Sequence, residues 1–138
     1  NENDLKENQL GLEITETAEL EDRKKASEAF ESLKKNGVPL ALDDFGAGYS
    51  SLSYLRDLPI SLIKLDKNFA ATIDLSDTKE LVRFVVNISD NLGLDMIVEG
   101  IETEDQKNIF LELGCKRGQG YFFHRPEFLE DFAGNLDE

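Results

Sequence analysis

Asp43 and Asp44 stand side by side at the end of an apolar run, Pro39–Phe45 (PLALDDF). Adjacent carboxylates repel one another unless cations sit between them. Two divalent ions roughly 3.5–4 Å apart, as in two-metal phosphoryl chemistry, need such neighbouring oxygen ligands. A helix-capping aspartate beside a solvated acid fits the dipeptide equally well, and the pair alone does not choose. Other acids and a lysine sit in similar places. In Leu62–Asp66 (LIKLD) strand alternation puts Leu62, Lys64 and Asp66 on one face, and in Asp95–Gly100 (DMIVEG) it puts Ile97 with Glu99. A buried lysine or glutamate is costly unless it is paired or metal-bound. One such residue is most simply a structural ion pair. Several strands carrying them at similar depth favour a site.

Glu13 lies inside another apolar run, Gln9–Thr15 (QLGLEIT), and is a ligand candidate. Glu16, of opposite strand parity, falls where that strand should end and is expected to steady a loop or cap the next helix. Glu102 follows Glu99 at the same three-residue offset and is expected to support it from behind. Gln119 stands between Gly118 and Gly120, which either permits close approach of a ligand or another backbone stretch or makes a tight barrel bend. His124 is the only histidine, so an imidazole-based zinc centre is not expected. Oxygen donors favour magnesium or manganese. Cys115, the single cysteine, leaves no internal disulfide and reads as core.

The elements that must hold these residues alternate. Five strand-like segments, Gln9–Thr15, Pro39–Phe45, Leu62–Asp66, Asp95–Gly100 and Lys116–Phe123, are separated by helix-like ones. The helices are expected at Glu21–Asn36, Leu52–Asp57, Asp77–Asn91 and Glu104–Leu113, with a short one after Pro126. In the third of these, Leu81, Phe84, Val85 and Ile88 form the expected core face. Strands alternating with helices imply parallel β/α units, in either a doubly wound sheet or a (β/α) barrel. Polar residues at strand ends fit the barrel, whose active sites lie at the C-terminal ends of the strands. Five strands cannot close a barrel of eight, so a partial barrel is expected.

Length and charge bound the partners. At 138 residues the chain suits one domain. A formal charge of −14 speaks against non-specific binding to nucleic-acid polymers or acidic membranes. A small phosphorylated ligand is compatible only if metal ions or a local lysine neutralise it. No apolar run approaches the roughly 20 residues that span a bilayer. The first residue, Asn1, leads to the expectation of a piece of a longer protein.

Five motifs, LEITET (Leu12–Thr17), DDFGAGYSSL (Asp43–Leu52), LIKLD (Leu62–Asp66), VEGIET (Val98–Thr103) and GQGYFF (Gly118–Phe123), occur in one order along the chain. Together they resemble the EAL-domain family of cyclic di-GMP phosphodiesterases. The resemblance implies an α/β fold, a partial TIM-type barrel of about five strands with their helices. It implies that residues 1–138 are the C-terminal part of one EAL domain. The Glu-Ala-Leu motif, the arginine after it and a metal-binding asparagine are absent from this sequence. Ala47 stands where threonine is common in the family, and Val98 where alanine is common.

By the same resemblance, Glu13, Asp43 and Asp44 match metal ligands of a two-metal Mg2+ or Mn2+ site. Lys64 matches a lysine touching the water or phosphate, and Glu99 matches the catalytic base. Gln119 matches a ligand-binding glutamine, and Glu16 a glutamate that steadies the loop Gly46–Ser51. The implied reaction is hydrolysis of cyclic di-GMP to linear pGpG by the intact protein, with this fragment inactive alone. An inactive cyclic di-GMP receptor or dimerisation module is the alternative. The implied setting is the cytoplasm, as a homodimer or completed by the upstream part of the same protein.

Overall fold

The computed structural model describes residues 9–15, 23–48 and 52–128. Four short strands, β1 (Leu12–Thr15), β2 (Leu40–Phe45), β3 (Leu62–Leu65) and β4 (Asp95–Val98), form one parallel sheet in the order β1-β2-β3-β4. Between them run α1 (Arg23–Lys35), α2 (Leu52–Asp57), α3 (Lys67–Ala71) and α4 (Ser76–Leu92), and α5 (Glu104–Glu112) follows β4. Sequential parallel pairing through helical crossovers is the β/α arrangement expected from the alternation.

Pairing aligns Ile14, Leu42, Ile63 and Met96 across the sheet in one row. Ile14, Leu42 and Ile63 are buried, with Leu65, Val98, Val82 and Phe110 in the same core cluster. The opposite parity carries Glu13, Asp43 and Lys64. Apolar packing against helices therefore consumes one face and leaves the other for polar groups.

Several boundaries and one face differ from the sequence reading. The segment Lys116–Phe123 is not a fifth strand. It contributes a single parallel bridge, Val98 to Gly118, and then turns. Gly120 allows that turn to lie against Ile101, since a side chain there would overlap the Ile101 backbone. Asp66 leaves β3 and caps α3, accepting from the Asn68 amide at 2.9 Å. The helix α3 lies between Leu62–Asp66 and Asp77–Asn91, where the sequence reading expects no helix. On α4 the core face is Thr78, Val82, Val85 and Ser89, whereas Leu81 and Phe84 are exposed. The helix expected after Pro126, like the residue Glu16, falls outside the described residues.

Local signals end and start the remaining helices. Gly93 closes α4 in the left-handed conformation. Thr103 and Gln106 form a reciprocal capping box at the start of α5, a device worth about 1 kcal/mol. Among the described residues no helix is long and apolar enough to cross a membrane.

Candidate functional site

The C-terminal end of β2 departs from regular strand geometry. Leu42 pairs with Ile63 and Phe45 with Leu65, so three steps along β2 match two along β3. The extra residue falls where Asp44 adopts φ 54, a left-handed conformation uncommon outside glycine, asparagine and aspartate. Regular alternation would send the side chains of Asp43 and Asp44 to opposite faces. The bulge instead lets carboxylate oxygens of Asp43, Asp44 and Glu99 gather within 4.8 Å of one another. Beyond Asp44, Gly46 has φ 92, and a side chain there would come within 2.7 Å of the Phe69 ring. The loop after β2 thus lies directly on α3.

Lys64 is the cation of the cluster. Its Nζ is 2.9 Å from Asp43 Oδ1, 2.9 Å from Glu99 Oε1 and 3.0 Å from Glu13 Oε2. One ammonium therefore meets acids from β1, β2 and the end of β4. Burial lowers its pKa, but the close carboxylates of Glu99, Asp43 and Glu13 outweigh that and raise it above the usual lysine value. Lys64 is fixed in its charged form.

Asp43 Oδ1 is a polar atom with an unmet demand. It is buried and, among the described residues, makes no well-aligned hydrogen bond, although Lys64 Nζ lies within ion-pairing distance. The 2.9 Å contact is electrostatic but poorly aligned, leaving lone-pair capacity for a further cation. Hard oxygen donors on three carboxylates could hold a divalent cation. Glu13 is outside this trio. It is half exposed and joins the cluster through Lys64.

A cleft of about 380 Å³ adjoins the cluster, with Glu99, Glu102 and Gln119 in its wall. Gln119 is exposed, and its backbone bonds Val98 O at 2.8 Å and accepts from Ile101 N at 3.1 Å. Of the two readings of its flanking glycines, close backbone approach to Ile101 is realised at Gly120. Glu102 is exposed, and its amide donates to Gln106 Oε1 at 2.8 Å. The loop is described as far as Gly48. Lys67 and Tyr121, not singled out in the sequence reading, also line the cleft. Tyr121 lies within GQGYFF, and Lys67 directly follows LIKLD, so each had a motif beside it as a signal.

A smaller cavity of about 140 Å³ lies at the opposite end of β4, beside Asp95 and Cys115. Burial pushes the Cys115 thiol up to about 12, so it remains protonated and unreactive. Among the described residues the carboxylate cluster and Lys64 lie at the other end of the strands.

The sequence profile of the EAL domain family matches residues 1–126. The cyclic di-GMP phosphodiesterase PA2567 of Pseudomonas aeruginosa is 39% identical over 129 residues, which cover 89% of this chain and 22% of that protein. The crystal structure of the EAL domain of Mycobacterium smegmatis DcpA superimposes with a TM-score of 0.91 at 34% identity. That match covers 96% of this chain and 60% of that one. Klebsiella pneumoniae BlrP1, solved as a manganese and cyclic di-GMP complex, matches with a TM-score of 0.79 at 33% identity. The match covers 86% of this chain and 30% of BlrP1. The chain spans about a fifth of the length of the curated relatives it matches. Its parallel sheet is thus part of a TIM-type barrel, and the chain belongs to the EAL domain family.

Proposed function

We propose that this chain is the C-terminal part of one EAL domain, which in the intact protein hydrolyses cyclic di-GMP to linear pGpG. The observation that carries this reading is the convergence of Asp43, Asp44 and Glu99 within 4.8 Å around the charged Lys64. The buried Asp43 Oδ1, which pairs with Lys64 but makes no well-aligned hydrogen bond among the described residues, supports metal ligation at the same point.

Asp43 and Asp44 would hold divalent metal, Mg2+ or Mn2+, with Glu13 contributing from β1. Bound ions would supply Lewis-acid neutralisation of the phosphodiester and a more acidic water. The rest is done by side chains of this chain. Glu99 accepts the proton of the attacking water as general base. Water adds at phosphorus, the bond from phosphorus to the 3′ oxygen breaks, and that oxygen takes a proton from solvent while Glu99 returns its own to solvent. Lys64 holds Asp43 and Glu99 in register and keeps a fixed positive charge beside the reacting phosphate. Gln119 contacts the ligand from the neighbouring cleft. Glu16 steadies the loop after β2, and Glu102 holds the turn behind Glu99.

Among the described residues β1 is an edge strand of the sheet, which supports completion of the sheet by upstream strands of the same protein, and homodimer formation is part of the reading. A cytoplasmic setting fits a nucleotide substrate.

The test is hydrolysis of cyclic di-GMP by the intact protein with magnesium or manganese, and with a chelator as control. Metal-dependent release of pGpG is the expected result. Tight binding without product would replace the enzyme with a receptor of the same ligand. Neither binding nor product would end both readings.

A further inference from the structure

The carboxylates of the cluster come from two separate stretches, the end of β2 and the end of β4, and the gap between them must be fixed. Backbone bonds do part of this. Asp66 N donates to Phe45 O at 3.2 Å, and Glu99 N donates to Leu65 O at 3.0 Å, so both stretches are tied to the end of β3. Past those bonds each stretch runs straight into a glycine, Gly46 after Phe45 and Gly100 after Glu99.

The same short helix lies against both glycines. A side chain at Gly46 would overlap the Phe69 ring, and one at Gly100 would come within 2.6 Å of Lys67 Cβ and 3.1 Å of its Cα. Phe69 and Lys67 both belong to α3. Gly46 has φ 92 and Gly100 φ 72, so neither turn accepts an ordinary residue without strain. The helix α3 therefore stands between the turn after the aspartates and the turn after Glu99, in contact with both.

Anchors at both ends decide where α3 sits, because five residues do not hold a helix in isolation. Its first turn is capped by Asp66, two residues beyond Lys64. At its other end Gln106 Nε2 donates to Ala70 O at 3.0 Å. Gln106 Oε1 accepts from the amides of Glu102 at 2.8 Å and Thr103 at 3.1 Å. One side chain thus ties α3 to the turn that follows Glu99. Ala70 is buried, and Phe69 packs against the core.

We infer that Phe69 is a positioning residue for the Asp43–Asp44 pair. Its ring holds Gly46, and with it the left-handed Asp44, at the spacing from Glu99 that a shared cation needs, while Gln106 keeps α3 in place. This role deepens the metal-site reading and rests on it, and it falls to a residue outside the cluster itself. Groups that brace metal ligands from behind contribute about 10- to 100-fold to affinity.

The experiment is calorimetric titration of the intact protein with Mn2+ alone, beside amide exchange in chelator. Phe69→Ala should raise the Mn2+ dissociation constant about tenfold, the lower end for such bracing groups. Phe69→Leu keeps an apolar contact at Gly46 and should recover most of that loss. Gln106→Glu keeps the acceptor for the Glu102 and Thr103 amides, loses the donor to Ala70 O, and should weaken Mn2+ binding several-fold. Val82→Ala, a core truncation on α4, should lower the urea midpoint and leave Mn2+ affinity within about twofold of wild type. In chelator the Ala47 amide, which donates to Asp44 O at 3.0 Å, should exchange several-fold faster in Phe69→Ala than in wild type or Val82→Ala.

Wild-type affinity and exchange in Phe69→Ala overturn the positioning role and leave the metal site intact. An equal loss of affinity in Val82→Ala also overturns it, since the effect is then general destabilisation. Should Phe69→Ala not fold, unchanged Mn2+ affinity in Phe69→Leu and Gln106→Glu overturns it. Absence of Mn2+ binding by the wild-type protein overturns the reading beneath.

Discussion

The two ends of the sheet both carry ion pairs, and they differ in what surrounds them. At the N-terminal end of β4, Arg117 and Asp95 approach to 3.1 Å with 57% and 58% of their side chains exposed. At the C-terminal ends, Lys64 keeps 10% exposure and meets three acids at 2.9–3.0 Å. Distance alone would rank the two alike. Water screens the first pair, whose net worth is about 0–1 kcal/mol. The second is a partly dry cluster with more acids than cations, where removing one member strands the others. Surplus carboxylate in a screened-off place is stable only with a further cation, which makes this end the one suited to metal chemistry.

The largest effect should come from Glu99→Gln in the intact protein, which keeps shape and removes the proton acceptor. Turnover of cyclic di-GMP should fall by about 10³-fold, within the span of general-base contributions. Retained turnover would take Glu99 out of its role.

Next comes Lys64→Met, compared by urea unfolding in chelator. Loss of the shared cation should destabilise the fold by about 3 kcal/mol, the low end for a broken buried pair because the acids keep some exposure. The pH sign follows from the raised Lys64 pKa. Its stabilisation is complete below the usual value of 10.5 and is lost as pH rises through the higher folded value. Wild-type stability should therefore decline in strong alkali by an amount absent from the variant. Equal alkaline losses in both would show that the cluster does not hold Lys64 charged.

A smaller loss is expected from Gly46→Ala, whose methyl group would press on Phe69 in a left-handed backbone. Thermal or urea unfolding should register about 2 kcal/mol, typical of overpacking. Asp95→Asn should change stability by less than about 0.5 kcal/mol. If it costs as much as Lys64→Met, the contrast between the two ends collapses.

Much of this contrast was legible before any coordinates. Alternation in LIKLD put Lys64 on a polar face, and the acids in LEITET, DDFG and VEGIET fell at comparable depth on neighbouring strands. What alternation could not express was the break in itself. By strict parity Asp43 and Asp44 diverge, and only the left-handed Asp44 and the register step bring their carboxylates together. Five residues of α3 are too few to show a helical period, so Lys67–Ala71 read as a connection. On α4 both Val82–Val85 and Leu81–Phe84 have helical spacing, and only packing against the sheet selects the former pair. Lys116–Phe123 read as the fifth strand of the alternation, but Gly120 lets the backbone turn against Ile101.

The left-handed Asp44 bears on how such a protein would drift or be engineered. Glycine adopts that backbone without the steric cost an L side chain meets there, on the order of 1 kcal/mol. Replacement by glycine also removes one of the crowded carboxylates. A screen that rewards only melting temperature or expression would favour that change, and its winners would have lost a proposed metal ligand. At this residue stability and activity are opposed, so an optimised variant should be checked here before its improved robustness is taken as progress.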